Sequence, residues 1–342
     1  MRCPHCARDV KGRQRSGRRC ALCRRTFVFD PRENPLRLHD VRVQRLAARL
    51  SGNGRYWFSV EQLYYAAARR YLGADARAER RWTAPVPVAT ISVALYVTAF
   101  AVPLPGLYLP ATLFGGIAAF GGLLLAVATR VARPVRPRMS LREFSTTLTN
   151  GWPPAHGAAL SGLAAEVPYR PLPGPALAVL TPDRGVFVCL QANRVPERLR
   201  VALAGEPAQV PPDVPVVLLH DVSLQGYAWA EWARTALPGR TVTDLTPSPR
   251  AVRAAAGAVR LREAPPGSGA AAAGERLAPA DLDWLRQGWW SPIAALRPAP
   301  LIARVEAAAT RRTDPDRRAA AAVGYLTWPQ ERRQAGAKER AA

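Results

Sequence analysis

Charge is missing from one long stretch of this sequence. Residues 82–129 contain no Asp, Glu, Lys, Arg or His. Lysine is scarce throughout: of 48 basic residues, only Lys11 and Lys338 are lysine and the rest are arginine. With abundant Ala, Pro and Gly, that preference matches the coding bias of a G+C-rich genome. Part of the +23 net charge therefore carries no functional message. Cysteine is sparse and uneven. Four of the five cysteines fall before residue 24 and Cys189 stands alone, which excludes an evenly spaced disulfide framework. Residues 1–25 hold no apolar run, so no secretory signal is expected. There is no P-loop, no GxGxxG and no GxSxG, which leaves phosphate-cradling and nucleophile-elbow chemistry without a motif.

The uncharged stretch is long enough for two membrane spans, since about 20 apolar residues cross a bilayer core as a helix. Pro103, Pro105, Gly106 and Pro110 mark a turn between them. Arg69, Arg70, Arg77, Arg80 and Arg81 precede the hairpin, and Arg130, Arg133, Arg136, Arg138 and Arg142 follow it. The positive-inside bias then puts both termini in the cytoplasm, with the protein in the inner (plasma) membrane. Ala111, Gly115 and Ala119 form one small-residue face and Ala118, Gly122 and Ala126 another. Such a face admits close helix approach, either within the hairpin or in a homo-oligomer. The alternative is a buried hairpin in a large soluble core.

Cys3-Pro-His-Cys6 and Cys20-Ala-Leu-Cys23 are two C-x2-C pairs with thirteen residues between them. Each pair suits a tight knuckle offering two thiolates, and two knuckles complete the tetrahedral sulfur set of structural zinc. His5 is a non-ligand in this reading. The stretch resembles a zinc ribbon over about 30 residues, with one departure: Ala7 stands where such knuckles often carry Gly. Nine basic residues surround the cysteines (Arg2, Arg8, Lys11, Arg13, Arg15, Arg18, Arg19, Arg24, Arg25), against Asp9 alone. They would suit nucleic-acid phosphates or an anionic inner leaflet. The lack of stacking aromatics between the knuckles weighs against nucleic acid. Downstream, Asp40 caps one expected helix. Ser51–Gly54 turns the chain, and Ser59 with Gln62 caps a second helix.

Residues 143–312 alternate apolar strands with helical patterns, which predicts a mainly parallel α/β domain. A short helix over 141–148 is expected to break at Trp152-Pro153-Pro154. Asp183 and His220-Asp221 follow strands at the carboxyl edge, where such sheets gather function. The run His220-Asp221-Val222-Ser223-Leu224-Gln225-Gly226 resembles the TOPRIM-type domains of topoisomerases and primases over about 70 residues. That resemblance implies magnesium held by Asp221, with Asp183 standing in for an earlier glutamate. Ser223 occupies the place of the motif's second acid. The plainer alternative has Asp221 and Ser223 capping the following helix, His220 packed at a strand end and Cys189 buried.

The expected layout is multi-domain. A zinc ribbon covers 1–35, a juxtamembrane helical hairpin 36–81, a transmembrane hairpin 82–130 and a basic linker 131–142. An α/β domain follows over 143–312 and a tail over 313–342. The expected role is a membrane-tethered, cytoplasm-facing module that binds, senses or recruits an unidentified protein partner without catalysis. The alternatives are a membrane-bound magnesium-dependent nuclease or phosphoryl-transfer enzyme using Asp221, and nucleic-acid binding through the arginine-rich ribbon.

Overall fold

The computed structural model describes residues 1–82, 134–166, 168–264 and 277–313. Three helices build the first layer: α1 (Asp40–Leu50), α2 (Val60–Trp82) and α3 (Leu141–His156). Ser59 and Gln62 start α2 with a reciprocal pair of bonds, Ser59 N–H to Gln62 Oε1 and Gln62 N–H to Ser59 Oγ. One core joins these helices to both flanks. Phe29, Leu36, Phe58, Leu63, Phe144 and Leu148 are buried in it together with Val135 and Leu261.

The second part is a four-stranded parallel sheet of β1 (Leu177–Leu180), β2 (Val201–Ala204), β3 (Val216–Leu218) and β4 (Val242–Asp244), in the order β2-β1-β3-β4. The first three strands are buried on both faces, so they read as unbroken apolar runs rather than as alternation. Leu177 and Val179 face α4 (Arg184–Ala192) in one core, and Ala178 and Leu180 belong to the other. A short helix α5 (Val195–Leu199) leads into β2. The second face is covered by α6 (Leu224–Thr235), through Ala230 and Ala233. Beyond β4 come α7 (Pro249–Ala254), the antiparallel pair β5 (Leu261–Arg262) and β6 (Trp289–Trp290), and α8 (Pro279–Arg286). The helix α9 (Pro298–Thr313) returns to the first face with Leu301, Ile302 and Val305.

Several expectations need correction. No helix among the described residues is long and apolar enough to cross a membrane. Trp82, taken as the first residue of the transmembrane hairpin, is the last residue of α2, and the rest of that stretch lies outside the described residues. The two-span reading is therefore not supported. The inner-membrane location, the lipid partner, oligomerisation through a transmembrane face and the membrane-tethered role all rested on it and fall with it. Asp40 does not cap α1. His39 does, its Nδ1 accepting from Arg42 N–H at 3.2 Å. Pro153 and Pro154 do not break α3, which runs on to His156. Trp152 and His156 hold that last turn in the fold, and Gly157 ends it at φ 77°.

Candidate metal centre and the carboxyl edge of the sheet

The four cysteines converge. Their sulfurs all lie within 4.8 Å of one another, and Cys3 Sγ is 3.8 Å from Cys23 Sγ. A tetrahedron with metal–sulfur bonds of about 2.3 Å has edges of about 3.8 Å, so the cluster has the size of a four-thiolate zinc site. The two knuckles repeat each other bond for bond, seventeen residues apart. Cys3 N–H donates to Arg8 O and Cys20 N–H to Arg25 O; Ala7 N–H donates to Cys3 O and Arg24 N–H to Cys20 O. Bridges Arg2–Asp9 and Arg19–Thr26 close the two loops. The turn demands a left-handed residue directly after each pair, and Ala7 (φ 57°) and Arg24 (φ 58°) supply it. Burial pushes the Cys3 thiol up. Burial pushes at Cys20 too, but backbone N–H groups of Cys23 and Leu22 outweigh it and hold that thiol down. A thiolate is thereby favoured at Cys20, the form a metal takes.

A stack of rings fastens the knuckles to the helices. His5 stacks on His156, with centroids 5.0 Å apart, and His156 on Trp152 at 4.2 Å. His5 Nε2 lies 2.7 Å from Thr26 O, which ties the first knuckle to the segment that follows the second. Beneath them the fully buried Asp40 accepts from Val28 N–H and Phe29 N–H and meets His156 Nε2 at 2.8 Å. A buried carboxylate survives only with such partners. Arg15, counted above with the basic surface, is withdrawn into a buried pair with Asp30 at 3.0 Å.

Asp183 and Asp221 end the adjacent strands β1 and β3, the point where strand order reverses and open α/β sheets usually bind ligands. Both are engaged in the backbone. Asp183 Oδ1 caps α4 by accepting from Val186 N–H at 2.7 Å, and Asp221 Oδ1 accepts from Ile293 N–H at 2.7 Å. Burial pushes both carboxyls up, Asp183 to about 7, with help there from the charges of Asp221 and Glu61. The crevice itself is filled by α2. A Cβ placed on Gly185 would stand 2.8 Å from Glu61 Oε2 and 2.9 Å from Ser59 Oγ, so the start of α2 lies directly on the start of α4. Tyr65 is pushed up by burial and by the Asp221 charge. A cavity of about 650 Å³ remains to one side, with Thr181, Asp183, Arg184 and Tyr169 in its wall.

No protein-family model, curated protein or solved structure matches this chain. The fold and the site must speak without relatives, and the TOPRIM resemblance receives no support. Among the described residues the four cysteines are the one group of three or more ligand side chains able to hold a metal. Asp183, Asp221 and Glu61 do not form a second such group, and the membrane-bound magnesium-dependent enzyme is corrected because no described helix can cross a membrane. Ser223 caps α6, accepting from Gly226 N–H at 2.9 Å, but Asp221 does not share that cap. His220 is fully buried, with Nε2 3.0 Å from Asp244 Oδ2 and Nδ1 2.7 Å from Asp221 O. Cys189 is buried in the sheet core and its thiol is pushed up by burial to about 12, which leaves it inert. Sequence reasoning missed the Asp40–His156 pair and Glu61 over Gly185. The first joins residues 116 positions apart, and no local spacing announces it.

Proposed function

We propose that the four cysteines hold one zinc ion with a structural role, in a zinc-stapled α/β protein that binds a small ligand. The observation that carries the metal reading is the closed four-sulfur cluster inside two matched knuckles. Cys3, Cys6, Cys20 and Cys23 supply all four positions of a tetrahedron, leaving none for substrate. The ion would supply the link between two halves that share few other contacts of their own. Cys3, Val10 and Cys20 are their only fully buried apolar groups. Through His5 the fastened knuckles then reach α3, and through Val28 and Phe29 the segment after them enters the main core. In this reading Asp183 is a helix cap and Asp221 an anchor for the turn before α9. Ligand binding is supported by the two cavities beside the sheet edge, of about 650 and 480 Å³, which fall in the usual range for small-molecule sites.

The metal content of the purified chain tests the zinc reading. About one zinc per chain is expected, absent from Cys3→Ser and Cys20→Ser variants, with chelation unfolding residues 1–30 as followed by amide exchange. A metal-free preparation with unchanged exchange protection in that segment would overturn it.

A further inference from the structure

The second cavity carries an unusual charge. It lies between the end of α1, the middle of α2, the loop after β3 and the start of α9, and encloses about 480 Å³. Arg49, Arg55, Arg69, Arg297 and Arg304 line it, and its wall contains no Asp or Glu among the described residues. None of the five has a carboxylate partner among the described residues. Arg55 and Arg304 donate only to backbone carbonyls, of Gly52 and Leu245. Arg69 is the most telling. It is half-withdrawn from solvent on α2, and its buried Nε has no hydrogen-bond partner. Burial, followed by the charge of Arg297, lowers its proton affinity, so two guanidiniums face the same space uncompensated. Buried donors and like charges left this way cost stability unless an acceptor arrives. The first turn of α9 borders the same cavity through Arg297, Ala299 and Pro300, and because Pro298 and Pro300 carry no N–H it leaves recognition of an anion there to the arginines. Apolar side chains, among them Leu50, Val252 and Ile293, form the rest of the wall.

We propose that this cavity binds a phosphate ester of a small molecule with an apolar or aromatic body, the phosphate held by Arg69 and Arg297. A dianion suits two neighbouring guanidinium forks better than a single carboxylate does, since each fork presents paired N–H donors to phosphate oxygens. The concave, half-open shape with its apolar wall suits a compact ligand that reaches the arginines from solvent. The proposal names the ligand class for the binding role given above and uses no residue of the zinc site.

The test uses the full zinc-loaded chain and calorimetric titration with ADP and with inorganic pyrophosphate at roughly 50 mM salt. ADP is expected to bind once per chain, at least tenfold more tightly than pyrophosphate because the body meets the apolar wall. Arg69→Gln and Arg297→Gln are each expected to weaken ADP at least tenfold. Arg286→Gln, on an exposed part of α8, should leave it unchanged. Arg297 is exposed, so its variant keeps the test sound if Arg69→Gln fails to fold. No heat with either probe up to about 1 mM would overturn the proposal, as would equal loss in the Arg286 variant. Equal affinity for pyrophosphate and ADP would overturn the apolar-body assignment. Binding of a single-stranded oligonucleotide without ADP would replace a pocket with a surface. Zinc content measured on the same samples separates failure of this proposal from failure of the metal reading.

Discussion

Replacing Asp183 by Asn separates the charge of that residue from its hydrogen bond. The carboxyl is pushed from 3.8 to about 7, first by burial and then by the charges of Asp221 and Glu61, against the opposing bond from Val186 N–H. The folded protein thus holds this proton more tightly than the unfolded chain does. Its stability contribution is complete below about pH 4 and is lost as pH rises from about 4 to about 7. Each unit is worth about 1.36 kcal/mol, so three units give a ceiling of about 4 kcal/mol above neutrality. Asn is as good an N-cap as Asp and keeps an acceptor for Val186, while removing the charge. Asp183→Asn should therefore stabilise the protein by up to about 4 kcal/mol at about pH 8 and by roughly half as much at about pH 5.5. Urea unfolding of both proteins at the two pH values measures this. Comparison at matched pH cancels the proton-linked loss of metal from the cysteines, which both chains share. An advantage that does not change with pH, or a destabilised variant at about pH 8, would refute the electrostatic account of this edge.

Two further outcomes follow from backbone geometry. Ala7→Gly and Arg24→Gly should each raise stability by about 1 kcal/mol, because both residues are held at positive φ where a Cβ is strained; thermal unfolding of the zinc-loaded protein checks this, and a lowered midpoint would contradict it. Gly226→Ala should cost more than about 3 kcal/mol, since its Cβ would stand 2.1 Å from the Asp221 carbonyl oxygen, a backbone atom that cannot swing aside; an unchanged denaturation midpoint would show that the turn after β3 adjusts freely.

What was legible in the sequence was local. The spacing of Cys3, Cys6, Cys20 and Cys23 marks a metal cluster because each C-x2-C turn is closed by bonds within six residues of its own start. Strands β1, β2 and β3 were legible because burial on both faces requires unbroken apolar runs. Ser59 with Gln62 and Ser223 before α6 were legible because caps act over three residues. Where local rules failed, a distant partner had prevailed. Asp40 looked like a cap, but Val28, Phe29 and His156 draw its carboxylate into the core. The prolines of α3 looked like a stop, but the ring stack carries the helix through them. The uncharged run suggested a membrane, a reading that no described helix supports.

The sequence by itself determined the four-cysteine cluster, the three buried strands of a parallel sheet and the capped starts of α2 and α6. These depend on contacts a few residues apart, and side-chain type and spacing specify them. Only the tertiary structure decided what occupies the carboxyl edge and where charge is left uncompensated. Glu61 covers Gly185, and Arg69 and Arg297 line one cavity from more than two hundred residues apart, because α2 packs against both the start of α4 and the turn that precedes α9. No periodicity encodes such a meeting; it arises when two cores, each legible alone, are pressed together.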